Sequence, residues 1–134
     1  MATIQKEILT RASVDQVWDA VRDIGALHTR LVPGFVLDTR LEPGTRIVTF
    51  FNGVTVRERI VTLDEERKRL VWAAEGSFLK HHNGSAQVLA RGALTCVIWT
   101  ADFLPDDAAA AIGPLMEAGA EAMKTALDKL AGKS

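Results

Sequence analysis

The sequence predicts an α+β fold: a curved antiparallel sheet of six to seven strands wrapped around one long C-terminal helix, with two short helices after the first strand. Three observations predict it. Strand-like segments punctuated by tight-turn residues fill residues 35–103. Helical spacing occurs only ahead of that block and behind it. The rear helical stretch is long and has one broad apolar face, and only the concave face of a sheet is large enough to cover it.

The elements follow in order. Thr3 to Arg11 alternates roughly in polarity and reads as a strand. Ser13 then supplies an N-cap and Gln16 completes a capping box. Val14, Val17, Trp18 and Val21 repeat at helical spacing, with Trp18 as the expected anchor of helix to sheet. Gly25 is the expected left-handed helix terminator. A second short helix covers Ala26 to Leu31 and stops at Pro33-Gly34. Strands are expected at Phe35–Leu41, Arg46–Phe51, Val54–Leu63, Arg69–Glu75, His81–Leu89 and Leu94–Phe103. The turn Asn52-Gly53 is the strongest hairpin signal among them. Asp106 or Asp107 can cap the final helix, Ala108 to Leu130, which Gly113-Pro114 is expected to kink or interrupt near its start. Gly119 lies mid-helix on the apolar face, where glycine costs about 1 kcal/mol against alanine. Close approach of the sheet is one reason for it, and room for a ligand is another.

Bulk properties bound the function. A chain of 134 residues fits one domain spanning 1–134. Net charge is -1 with both signs interspersed, which gives no nucleic-acid footprint. The N-terminus has no signal-peptide block and no stretch reaches membrane-span length, so a cytoplasmic setting is the expectation. The one cysteine, Cys96, lies in an apolar strand and reads as a buried core thiol. No Gly-rich phosphate loop or nucleophile elbow is present, and no cofactor is expected. The three histidines lack convergent carboxylate spacing, so no metal is expected either.

Three segments resemble a known family: Ala12-Ser13-Val14-Asp15-Gln16-Val17-Trp18, then Val56-Arg57-Glu58-Arg59-Ile60 with Leu63-Asp64, then Trp99 with Asp102 and Leu104-Pro105. Together with His81-His82-Asn83-Gly84-Ser85, they make nearly the whole chain similar to the START-like (SRPBCC) superfamily, and within it to the bacterial polyketide cyclase/dehydrase and lipid-transport group. Val14 departs from the family pattern, where proline is frequent. The resemblance implies a helix-grip fold whose cavity opens between the final helix and the loops. It implies binding of small hydrophobic or aromatic molecules. Any catalysis would come from a few polar groups on the cavity wall.

Candidate residues follow from strand parity. Glu58 shares a face with Val56 and Ile60 and is expected to point inward or near the rim. There it either pairs with Arg or Lys, or its pKa rises and it becomes an acid/base group. His81 and His82 are adjacent on a strand, so only one can enter the cavity and act as a general base. His28 falls in a loop expected at the cavity mouth. Trp72 and Trp99 are core or cavity wall; Phe35, Phe50, Phe78 and Phe103 are lining candidates by position. Met116 and Met123 suit an adaptable space. The face of Leu94–Phe103 that turns inward stays open. The absence of tyrosine leaves no phenolic acid for an aromatase-like mechanism. The leading expectation is binding or transport of a small hydrophobic molecule. The rivals are a polyketide cyclase/dehydratase-like enzyme and a protein-interaction module with a filled core. A homodimer is compatible with the fold type, and no sequence feature demands one.

Overall fold

The computed structural model describes residues 1–76 and 79–132. Seven strands form one antiparallel sheet: β1 (Ala2–Thr10), β2 (Val36–Glu42), β3 (Thr45–Phe50), β4 (Thr55–Asp64), β5 (Arg69–Glu75), β6 (His81–Arg91) and β7 (Leu94–Leu104). Their spatial order is β1-β7-β6-β5-β4-β3-β2, so β2 to β7 form a meander and β1 closes onto the last strand. Two helices complete the fold, α1 (Val14–Arg22) and α2 (Ala109–Ala131). No helix among the described residues is long and apolar enough to cross a membrane.

Local chemistry sets each boundary. Ser13 Oγ accepts from the Gln16 amide at 3.1 Å, and Gln16 Oε1 accepts from the Ser13 amide at 2.9 Å, a complete capping box. Trp18 buries its ring, and its Nε1 donates to Glu65 Oε1 at 2.9 Å, tying α1 to the β4–β5 turn. Register shifts in β2, between Val36 and Asp38, and in β4, between Ile60 and Thr62, add bends that curve the sheet. Along α2 the buried residues Ile112, Met116, Gly119, Met123 and Leu127 form one stripe facing the concave side.

Several boundaries differ from the sequence expectations. The helix α1 ends at Arg22, and Gly25 has no left-handed backbone; it leaves room for Leu41, whose Cδ1 would lie 2.8 Å from a Cβ at that position. The second short helix is a 3₁₀ turn, Ile24–Ala26, running into a π-helical turn, Leu27–Leu31. Neither Asp106 nor Asp107 caps by a side-chain hydrogen bond; they open a 3₁₀ turn, Asp106–Ala108, that feeds directly into α2. The helix α2 runs through Gly113-Pro114 uninterrupted, with Pro114 early enough that its missing N–H affects only the first turns.

The β3–β4 hairpin also departs by one residue. Phe50 N donates to Val54 O at 2.8 Å and Gly53 N to Phe50 O at 2.9 Å, so the loop is Phe51–Gly53, three residues rather than two. Gly53 takes the left-handed position with φ 85°, as a three-residue hairpin loop requires. Phe51 leaves the ladder because its N–H donates to Phe35 O at 3.0 Å. The sheet register shifts accordingly, and Arg46 lies directly opposite Glu58.

Candidate functional site

A cavity of about 170 Å³ lies between the concave face of the sheet and α2. Its wall is overwhelmingly apolar. The sheet contributes Val36, Phe50, Val56, Leu70, Trp72, Ala86, Trp99 and Ala101; α2 contributes Ile112, Leu115, Met116 and Met123. Leu27, Leu31, Val32 and Phe35 close one end. Phe35 packs edge-on against Phe50, with ring centroids 5.6 Å apart, and against Phe51 at 5.7 Å. Phe51 and Val54 border the cavity yet are 49% and 44% exposed, which puts the opening at the tip of the β3–β4 hairpin, beside Asn52.

The face of β7 that sequence parity left open is settled: Val97, Trp99, Ala101 and Phe103 point toward α2. His82 pairs directly with Phe103, so it shares that face and borders the cavity. His81 points outward, where its Nε2 lies 2.7 Å from Asn83 Oδ1. Burial pushes the His82 imidazole below its ordinary pKa of 6.5; the Glu58 carboxylate opposes that shift.

The polar end of the cavity is built on one cross-strand row. Arg46 on β3 pairs with Glu58 on β4, which pairs with Ala74 on β5. The β5–β6 ladder ends at Ala73 and Asn83, so Ala74 and His82 are the next residues along. Arg46 Nε donates to Glu58 Oε1 at 2.8 Å, with side chains only 3% and 7% exposed. The guanidinium also lies over the Trp72 ring, 5.2 Å from its centroid, a cation–π contact. Glu58 thus has a salt-bridge partner, the first of the two fates expected of a carboxylate here. Trp72 in turn rests on Gly84, where a Cβ would come within 2.4 Å of the indole.

Other sequence candidates separate from the site. His28 is not part of the cavity wall; it lies in the π-helical turn with Nδ1 buried and without a hydrogen bond. Phe103 is fully buried among Ala101, Ile112 and Met116, behind the wall rather than on it. Phe78 lies outside the described residues. Cys96 is buried, and burial pushes its thiol up, away from nucleophilic character. Among the described residues, no three His, Cys, Asp or Glu side chains are grouped to hold a metal ion. Arg46, Phe51 and Leu115 are wall residues that sequence reasoning did not single out. For Arg46 the signal was Glu58 itself, because pairing with Arg or Lys is one of the two ways a carboxylate is tolerated in an apolar interior.

A curved antiparallel sheet gripping a long helix around an apolar cavity defines the helix-grip fold. The family model for polyketide cyclase/dehydrase and lipid transport matches residues 1–134, and the chain belongs to that family. No curated protein sequence matches it. Solved structures share the fold. The protein XoxI from Bacillus cereus matches at 17% identity and TM-score 0.81, covering 95% of this chain and 96% of that one. A START superfamily protein from Mycobacterium smegmatis matches at 12% identity and TM-score 0.77, covering 96% and 98%. The ZhuI aromatase/cyclase from Streptomyces sp. R1128 matches at 18% identity and TM-score 0.75, covering 98% and 94%.

Proposed function

We propose that this protein binds or carries a small hydrophobic or aromatic molecule in the cavity between the sheet and α2. The observation that supports it is the cavity itself: a space of about 170 Å³ between the sheet and α2 with an almost entirely apolar wall. Packed interiors leave few voids larger than a water molecule, and an apolar void forfeits dispersion contacts that a ligand restores. A filled core, as an interaction module would have, is at odds with such a space. Native mass spectrometry of the purified protein, set against its denatured mass, tests the reading. A retained small molecule supports it; absence of any adduct, together with no saturable binding across lipids and aromatics, sinks it.

A catalytic reading has one observation in its favour, the presence of Glu58 and His82 on the same inner face. The aromatase/cyclase neighbour makes a polyketide-like substrate the natural trial. Turnover that survives Glu58→Gln and His82→Ala would remove both residues from any mechanism. The engagement of Glu58 by Arg46 favours binding over proton transfer, since the carboxylate already has a buried ion-pair partner.

A further inference from the structure

We propose that the cavity selects an uncharged, single-ring molecule bearing one hydrogen-bond-accepting oxygen, which docks on the terminal guanidinium N–H groups of Arg46. This rests on the binding function proposed above and adds size, charge and polarity to it.

Size comes from the volume. An engineered apolar cavity of about 150 Å³ holds benzene, while pockets for drug-sized ligands run from about 300 to 1,000 Å³. A space of about 170 Å³ therefore accommodates one ring with a short substituent. Trp99 from the sheet and Met116 and Met123 from α2 bound it, so a fused ring system would have to displace these side chains.

Charge comes from the sum over the polar end. Arg46 and Glu58 cancel, and burial holds His82 toward its neutral form. An anionic ligand would lose its hydration without meeting a net positive charge, a penalty that only a paired cation offsets. The cation present already has its carboxylate.

Polarity comes from the donor count. Arg46 borders the cavity and spends only Nε on Glu58, so among the described residues its two terminal nitrogens donate to no protein acceptor. The contact with the Trp72 ring, 5.2 Å from Arg46 Cζ to the ring centroid, offers these nitrogens no lone-pair acceptor. A fully hydrocarbon ligand would seal these donors away unpaired, at a cost of about 1–3 kcal/mol for such a group. A carbonyl oxygen satisfies them.

The test is isothermal titration calorimetry at pH 7.5 with four probes: acetophenone, ethylbenzene, benzoate and 2-acetylnaphthalene. Acetophenone is expected to bind about tenfold tighter than ethylbenzene, the equivalent of one good hydrogen bond, and also to outbind benzoate and 2-acetylnaphthalene. Arg46→Met is expected to abolish the preference for acetophenone while ethylbenzene still binds. Where the single variant does not fold, the double variant Arg46→Met/Glu58→Leu provides the same comparison without a stranded carboxylate. Ethylbenzene binding as tightly as acetophenone in the wild type overturns the assignment to Arg46, and leaves cavity binding intact. Tightest binding by benzoate overturns neutrality, and by 2-acetylnaphthalene overturns the size limit. Failure of all four probes overturns the inference, while the binding function stands or falls separately on the native mass spectrometry and the wider lipid and aromatic screen.

Discussion

Arg46 and Glu58 form a buried ion pair whose worth depends on both members being present. Arg46→Met leaves a carboxylate in an apolar interior and is expected to cost about 3–5 kcal/mol, whereas Arg46→Met/Glu58→Leu removes both charges and is expected to restore most of that loss. Urea unfolding of the double-mutant cycle measures the coupling. Gly84 acts on the same cluster from beneath Trp72. Its backbone is ordinary, so the restriction is steric: Gly84→Ala drives a methyl group into a rigid indole that also contacts the Arg46 guanidinium. A loss of about 1–3 kcal/mol is expected, the range for overpacking, and a drop in thermal midpoint reads it out. His82 gives the molecule a pH dependence of defined sign. Its folded pKa is depressed, with burial as the main cause, Glu58 and Asp102 opposing and His81 reinforcing it. The unfolded chain takes up a proton near 6.5, and the folded chain only at lower pH. Stability is therefore fully present above that value and declines as the pH falls below it. Carboxylates such as Asp102 act in a separate, more acid window below about 3.8. His82→Phe is expected to flatten the stability profile between about pH 6.5 and 5; an unchanged slope there would assign it to another group.

Elements show where sequence information stops. The capping box of α1 and the apolar stripe of α2 are local patterns, and both were legible because each involves residues within a few turns of one another. The hairpin after Phe50 was legible as a hairpin but not in register. Asn-Gly suits a two-residue loop, and the third loop residue is decided by the Phe51 N–H reaching Phe35, a contact from outside the hairpin. That single residue determines that Arg46, and not Ile47, faces Glu58. Parity along β6 was equally legible for His81 and His82 as opposites, while the choice between them waited on the pairing of His82 with Phe103. Gly119 on α2 raised two explanations, close approach or space, and the structure contains both. A Cβ there would lie 2.8 Å from Trp99 Cη2 and 3.1 Å from Phe35 Cε2, the far ends of two cavity-wall side chains. Gly119→Ala gains about 1 kcal/mol of helix propensity and displaces Trp99 into the free volume. Stability is expected to change by less than about 1 kcal/mol, while affinity for a bound aromatic falls; calorimetric titration beside thermal unfolding separates the two.

At the scale of the molecule, the fold was legible because it follows from element order: strand, short helices, meander, long helix. The cavity was not, since Ala86, Ala101, Met116 and Met123 serve equally for close packing or for enclosing a space. Only the separation between α2 and the curved sheet distinguishes those uses, and that separation is a property of every element at once. Ligand occupancy then couples to folding. A ligand at a hundred times its dissociation constant adds about 2.7 kcal/mol of stability, which a thermal melt registers as a concentration-dependent rise. The chain is also equipped to report its own occupancy. It has three tryptophans and no tyrosine, so its near-ultraviolet emission comes from indole alone. Trp72 and Trp99 border the cavity from two strands, while Trp18 is held elsewhere by Glu65. A molecule entering the space changes the surroundings of two emitters and leaves the third as an internal reference, so binding is readable as an intensity or wavelength change without any attached dye.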